Sequence, residues 1–386
     1  MVVGTLLAAV AAYLFQLFVG RSLGPTEFAP ITVLWTIQFL VFTTVFMPME
    51  QLTIRRLHHG LHDAAPWKLF ATLIVASTIG TAAFAWATND RLLDGESLYV
   101  PLAAILVAAY GLFALGRGHL AGNERYREYG LSTLAESVLR LVVAVLLLAV
   151  GVGVLGLAWT LVVGAFVVLA WKPFTGVRSG SVREPGAGTA LATFITANAA
   201  SQTIVAAGPL VVGALGAPAA QVSVFFETFL LFRAPLTVAY SLVARVLPPF
   251  TRFATDGNEA ILRRWVIRIA VAAAVLAVIA YGVGRVAGPA LVEILLGAEF
   301  RPDAQLAAYA ASGVVIATLT LFSQQILIAT RATDRLAAAW LVGLITAVVV
   351  VAVTGGDPSL RVGAAFLAGE AAAGVGVTVA VLTARR

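Results

Sequence analysis

The chain has 386 residues, of which 60% are hydrophobic and 11% charged, with a formal net charge of +6. Its mean hydropathy of +0.96 means more apolar surface than a soluble domain of this size can hide, and too little polarity for a disordered chain. The absence of cysteine excludes disulfide frameworks, iron–sulfur clusters and thiolate zinc sites. What remains is an all-α integral membrane protein.

A helix needs ~20 largely apolar residues to cross ~30 Å of hydrocarbon. Such stretches occur in chain order at 1–20, 30–50, 67–87, 98–116, 130–150, 153–171, 190–212, 220–247, 265–284, 304–329, 336–354 and 361–382. Runs such as LVVAVLLLAVGVGVLGLAW do not alternate as barrel strands must. About twelve transmembrane helices are therefore expected. The polar connection 172–189, KPFTGVRSGSVREPGAGT, is rich in Gly, Ser, Pro and Arg. It reads as a cytoplasmic linker between a six-helix lobe at 1–171 and a second at 190–386.

Positive residues favour cytoplasmic loops. With a cytoplasmic N-terminus, eighteen of the 25 Lys and Arg residues fall on the inner side. Arg21, Arg91, Arg285, Arg301 and Arg361 fall outside, and Arg140 and Arg233 lie within spans. Both termini are thus expected in the cytoplasm of a multi-pass cell-membrane protein. The net charge then reads as attraction to the inner leaflet and not as a nucleic-acid footprint. Trp67, Trp86, Trp171 and Trp265 fall near span ends, where indoles anchor.

The halves show a faint repeat. GRSLGPTEFAPITVLWTIQFL after the first span parallels VGALGAPAAQVSVFFETFLLF after the seventh, aligning Leu23-Gly24 with Leu215-Gly216 and Thr36 with Thr228. Parallel repeats about an axis along the membrane normal are used by transporters that hold substrate near mid-membrane.

Three segments resemble a known family. VGRSLGPTEFAPITVLW resembles the connection between the first two spans of bacterial oligosaccharide and polysaccharide flippases. GRGHLAGNERYREYGLSTLAESVLRL resembles their passage from the fourth span to the fifth, and LVEILLGAEFRPDAQLAAYA their outer connection before the tenth. These flippases belong to the multidrug, oligosaccharidyl-lipid and polysaccharide exporter (MOP) superfamily. The resemblance implies two six-helix lobes around a central cavity, alternating access, and a lipid-linked oligosaccharide as cargo. It also implies membrane lipids and polysaccharide polymerase or export proteins as partners.

Charges at membrane depth cost ~2.5–3.5 kcal/mol on insertion scales and so mark candidate sites. Five stand out: Glu136, Arg140, Glu227, Arg233 and Glu370. Glu136 and Arg140 are four residues apart and share a helix face. They read either as an internal ion pair that eases insertion, or as a cavity wall where Arg140 meets a pyrophosphate, which suits a guanidinium fork. Arg233 lies near the middle of its span, with Pro235 positioned to kink it. It faces either a cavity or a structural partner such as Glu370 or Glu136. Glu370 sits among small residues in LAGEAAAGVG, as a coupling carboxyl or a buried neutral one.

Asn198 and Gln202 share a face of the seventh span, and Gln38, Gln324 and Gln325 are also at depth. They suit either sugar hydroxyls or interhelical hydrogen bonds. Arg55 and Arg56 follow the second span and read as a topology signal or a phosphate-receiving cytoplasmic mouth. His58, His59 and His62 lie beside Asp63, but the loop offers no further obvious metal ligand. No Walker loop, nucleophile elbow, metalloprotease motif or paired acidic glycosyltransferase motif is present, so neither enzymatic chemistry nor a cofactor is expected.

The leading expectation is a flippase for a polyprenyl-pyrophosphate-linked oligosaccharide. An ion-coupled drug or metabolite antiporter of the same superfamily is the first alternative. A membrane-embedded glycosyltransferase or ligase, or a scaffold of an export assembly, is the second.

Overall fold

A computed structural model describes residues 2–58, 67–174, 187–330 and 332–383, and among them every regular element is helical. A backbone in hydrocarbon must satisfy its own hydrogen bonds, and a helix does this within one segment. Contacts divide the chain into two units, Met1–Ala199 and Ala200–Arg386.

The first unit opens with the 40-residue α1 (Val2–Val41), which carries the first apolar stretch and the beginning of the second. It is broken at Gly24, where φ is 72° and ψ 168°, a conformation that residues with a Cβ avoid. Pro25 follows, and its missing N–H cannot rejoin the helical ladder. A π-helical turn at Phe42–Phe46 leads into α2 (Met47–His58). Next come α3 (Trp67–Ala87), the short α4 (Asn89–Leu92), α5 (Tyr99–Gly122), α6 (Tyr126–Ala149) and α7 (Val154–Phe166). A 3₁₀ segment at Val167–Trp171 ends the run. The most buried span is α5, which packs against α2, α3 and α7, while α1 packs on α6.

The eighth helix, α8 (Ala187–Ala206), crosses the division. The second unit continues with α9 (Gly208–Ala214), α10 (Ala219–Phe232), α11 (Ala234–Thr255), α12 (Glu259–Leu296), α13 (Ala304–Ala329), α14 (Thr333–Val353) and α15 (Pro358–Leu382). Here α13 is the buried centre, packed on α11, α12 and α15, and α14 packs on α15. Close approach depends on small residues. A Cβ on Gly284 or Gly288 of α12 would stand 2.6 Å from an alanine Cβ of α13.

Among the described residues, all twelve apolar stretches fall on helices. Nine helical segments among them are long and apolar enough to span, or ten if the bent α10–α11 pair counts as one. Two expected single spans are instead broken. The stretch 190–212 divides between α8 and α9 ahead of Pro209, and 220–247 bends by 46° between α10 and α11. The alignment of Leu23-Gly24 with Leu215-Gly216 has a backbone counterpart, since Gly216 also has positive φ, at 87°. Most of the linker, residues 175–186, lies outside the described residues. Large apolar side chains such as Val278, Val286, Ile294 and Val353 point outward, as helices solvated by hydrocarbon allow.

Candidate functional site

In the first unit, Glu136 and Arg140 form an ion pair across one turn of α6, with Arg140 Nη1 3.1 Å from Glu136 Oε1. The pair is enclosed, and Arg140 is only 3% exposed. Tyr110 of α5 donates a short hydrogen bond to Glu136 and accepts one from Arg140 at 3.2 Å. Ser137 donates to the other carboxylate oxygen at 2.9 Å. The guanidinium lies over the ring of Trp35, 4.2 Å from its centroid, and 5.5 Å from that of Phe15. Those two rings stack on each other at 5.6 Å. A charge so placed keeps both an anionic partner and the negative faces of two aromatic rings.

A second arrangement of the same three residue types sits at the other end of the α5–α6 interface. Arg117 Nη2 lies 3.2 Å from Glu50 Oε1, and Tyr129 donates to the same oxygen at 2.9 Å. Arg117 also donates to Tyr129 and lies 4.5 Å from its ring centroid. The spacing is regular: Tyr110 and Arg117 are seven residues apart on α5, as are Tyr129 and Glu136 on α6, so each pair shares a face. Phe42, in the π-helical turn, packs edge-on to Tyr110 at 5.9 Å and lies the same distance below Arg117. Arg117, counted in the sequence among the eighteen inner-side basic residues, has a largely buried side chain paired with Glu50.

The second unit collects a looser polar group. Arg233 is the hinge residue of the broken span, capping the C-terminus of α10 and preceding the first residue of α11. It is half-buried and lies within electrostatic reach of Glu370 of α15 and of Tyr240. Tyr240, farther along α11, is 48% exposed, and its side chain lies near Gln202 of α8. Glu370 is 0% exposed, and neither of its carboxyl oxygens has a hydrogen-bond partner among the described residues. Glu227 of α10 is equally buried and likewise lacks a hydrogen-bond partner, as does Ser223 one turn before it. An ionised carboxylate in such a place costs several kcal/mol unless a proton or cation joins it.

The structure thus brings Glu136 with Arg140, Arg233 with Glu370, and Gln202 with Tyr240. Asn198 donates from Nδ2 to the carbonyl of Thr43 at 3.0 Å, which makes it an interhelical tie. Gln38 is buried on α1. Gln324 accepts from the indole of Trp340 at 3.0 Å, and Gln325 returns to the Leu321 carbonyl at 2.9 Å. Arg55 is exposed and Arg56 buried, so the two do not act as one patch. His59, His62 and Asp63, like the side chain of His58, lie outside the described residues. His119 packs edge-on to Phe174 at 5.5 Å. Residues not singled out by the sequence are Tyr110, Glu50, Arg117, Tyr129, Tyr240 and Gln16. The amide of Gln16 is buried with no hydrogen-bond partner among the described residues.

No family model matches the chain. An uncharacterized protein of Mycobacterium tuberculosis is 28% identical over 343 residues, covering 83% of this chain and 77% of that one. An uncharacterized protein of Mycobacterium bovis is 27% identical over 339 residues, covering 82% and 76%. Among solved structures, a single-residue mutant of the Vibrio cholerae MATE transporter VcmN matches with a TM-score of 0.60 at 16% identity, over 98% of this chain and 94% of that one. An inward-facing multidrug resistance MATE family transporter of the MOP superfamily matches with a TM-score of 0.62 at 13% identity, over 98% and 99%. The eukaryotic MATE transporter AtDTX14 gives 0.62 at 15%, over 98% and 94%. The fold is that of the MATE transporters.

Proposed function

We propose that the chain is a multi-pass transporter of the cell membrane, and specifically a flippase for a lipid-linked oligosaccharide carried on a polyprenyl pyrophosphate. The observation that carries this reading is Arg233. It stands half-buried at the break of the α10–α11 span, beside a helix N-terminus, with Tyr240 and Gln202 within the same polar group. Broken spans whose half-helix N-termini meet anionic substrate groups are a recurring transporter device. A guanidinium can hold two phosphate oxygens, while the hydroxyl and amide suit sugar. The lipid tail stays in hydrocarbon, and the protein supplies polar contacts for the head group alone. In this reading Arg140, closed in by Glu136 and two rings, holds the first unit together and does not meet cargo. The test is surface-polysaccharide export in a host lacking its own flippase. Arg233→Ala should abolish export at unchanged membrane abundance, and wild-type-like export by that variant refutes the assignment.

A second reading is favoured by one observation of its own. The two wholly buried carboxyls, Glu227 and Glu370, suit cation coupling, and the fold is shared with a multidrug resistance MATE family transporter. On this reading the chain is an ion-coupled drug or metabolite antiporter. Drug-efflux assays in a sensitised host separate the two: resistance lost on Glu370→Gln, with no effect on polysaccharide, selects the antiporter.

A further inference from the structure

The second unit contains a cavity of about 400 Å³ between α8–α9, α10, α14 and α15. Its lining is almost wholly apolar. Phe225 and Phe229 stack at 4.3 Å, and Phe366 packs edge-on to Phe229 at 5.0 Å, so three rings make one wall. Val211 and Val348 line other sides. Val348 is 60% exposed and belongs to an outward apolar face of α14 that includes Ile345, Val349 and Val353, so the cavity opens beside a surface made for hydrocarbon.

The single charged residue among the described lining is Arg361, in the first turn of α15. It is anchored but not neutralised. Its Nη2 donates to the Val351 carbonyl near the end of α14 at 2.6 Å, while its Nε has no hydrogen-bond partner among the described residues. The nearest carboxylate in sequence, Asp357, is engaged elsewhere. It caps α15 through the Leu360 N–H at 3.0 Å and accepts from Gln221. Arg361 therefore stands, with its Nε unpartnered among the described residues, where α14 ends and α15 begins, beside the apolar slot.

From this charge complementarity we propose that the cavity is a binding site for an anionic phospholipid, with one acyl chain in the slot and its phosphate on Arg361. This site is independent of the cargo reading, because it involves none of Arg233, Tyr240 or Gln202. An anionic phosphate draws on the guanidinium. A zwitterionic lipid with the same chains fills the slot but gains little from the charge.

The test is native mass spectrometry of the full chain, with phosphatidylglycerol and phosphatidylcholine of matched acyl chains in competition. Wild type should retain phosphatidylglycerol about fivefold over phosphatidylcholine, the factor that one basic group's attraction to an anionic head group provides. Arg361→Gln should remove that preference, Arg361→Lys should keep most of it, and Ala347→Phe, which fills the slot, should lower retention of both lipids. Absence of preference in wild type overturns the proposal even where Arg361→Gln fails to fold. An unchanged preference in Arg361→Gln overturns it as well. A change of oligomeric state in Ala347→Phe without loss of lipid makes the slot an interface between copies and likewise overturns it. Transport assays do not enter this test, so its failure leaves the flippase reading intact, and the reverse also holds.

Discussion

Substituting Glu136 by Gln leaves the buried Arg140 charge without its counter-charge. The guanidinium sits 3.1 Å from the carboxylate and is almost fully enclosed. Breaking such a pair from one side costs about 3–5 kcal/mol, because the remaining charge is stranded. The Tyr110 hydroxyl and the faces of Trp35 and Phe15 stay in place. A desolvated cation over an aromatic ring keeps about 2 kcal/mol, so the loss should fall near the lower end, about 3 kcal/mol. Arg140→Met strands Glu136 instead, with only Tyr110 and Ser137 as donors, and should cost a similar amount. The double variant Glu136→Gln/Arg140→Met strands neither charge. It should be less destabilised than the sum of the single variants by about 2–3 kcal/mol. Denaturant unfolding in detergent reads this out, and quenching of Trp35, which lies on the guanidinium, gives a local signal. Additive losses, with coupling below about 0.5 kcal/mol, would mean that the residues are independent and that the aromatic rings alone hold Arg140.

Glu50→Gln should weaken the first unit by a comparable mechanism, since Arg117 then loses the carboxylate it is paired with; a thermal midpoint equal to wild type contradicts the second triad. Gly24→Ala and Gly216→Ala should each cost about 1–2 kcal/mol, because both glycines have positive φ; unfolding midpoints in the same detergent check this, and neutral substitutions contradict the repeat of the break. Glu370→Gln should fold as well as wild type, because its oxygens have no hydrogen-bond partner among the described residues. If transport is cation-coupled, that variant should lose the dependence of rate on the imposed ion gradient, and an unchanged dependence removes Glu370 from coupling.

Much of the helical architecture can be read from the chain because lipid imposes one rule on every span. Apolar windows therefore find α5, α6, α13, α14 and α15 nearly whole. They miss where helices run on into polar territory. The stretch 265–284 is the middle of α12, which extends from Glu259 to Leu296 because backbone hydrogen bonding continues where hydropathy does not. Hydropathy windows alone also miss the breaks after Ala206 and at Arg233; the bend at Arg233 is signalled instead by Pro235, while the break after Ala206, ahead of Pro209, is not read from the sequence. The Glu136–Arg140 pair is legible because both members lie on one helix at a spacing of four. Glu50 with Arg117 and Tyr129 is not, because the partners come from three helices and each sits where an interfacial residue is ordinary. Tyr240 escapes for a related reason: one tyrosine in an apolar span carries no signal until the neighbouring helices are in place.

The account rests most directly on the role of Arg233 as the anion anchor. The decisive measurement is movement of a polyprenyl-pyrophosphate-linked oligosaccharide across proteoliposomes containing the purified chain, followed by accessibility of the sugar to an external lectin. Wild type should move the lipid, Arg233→Lys should move it more slowly, and Arg233→Ala should fall to the rate of protein-free vesicles. Equal rates for wild type and Arg233→Ala, or no movement by a folded wild-type chain, contradict the account.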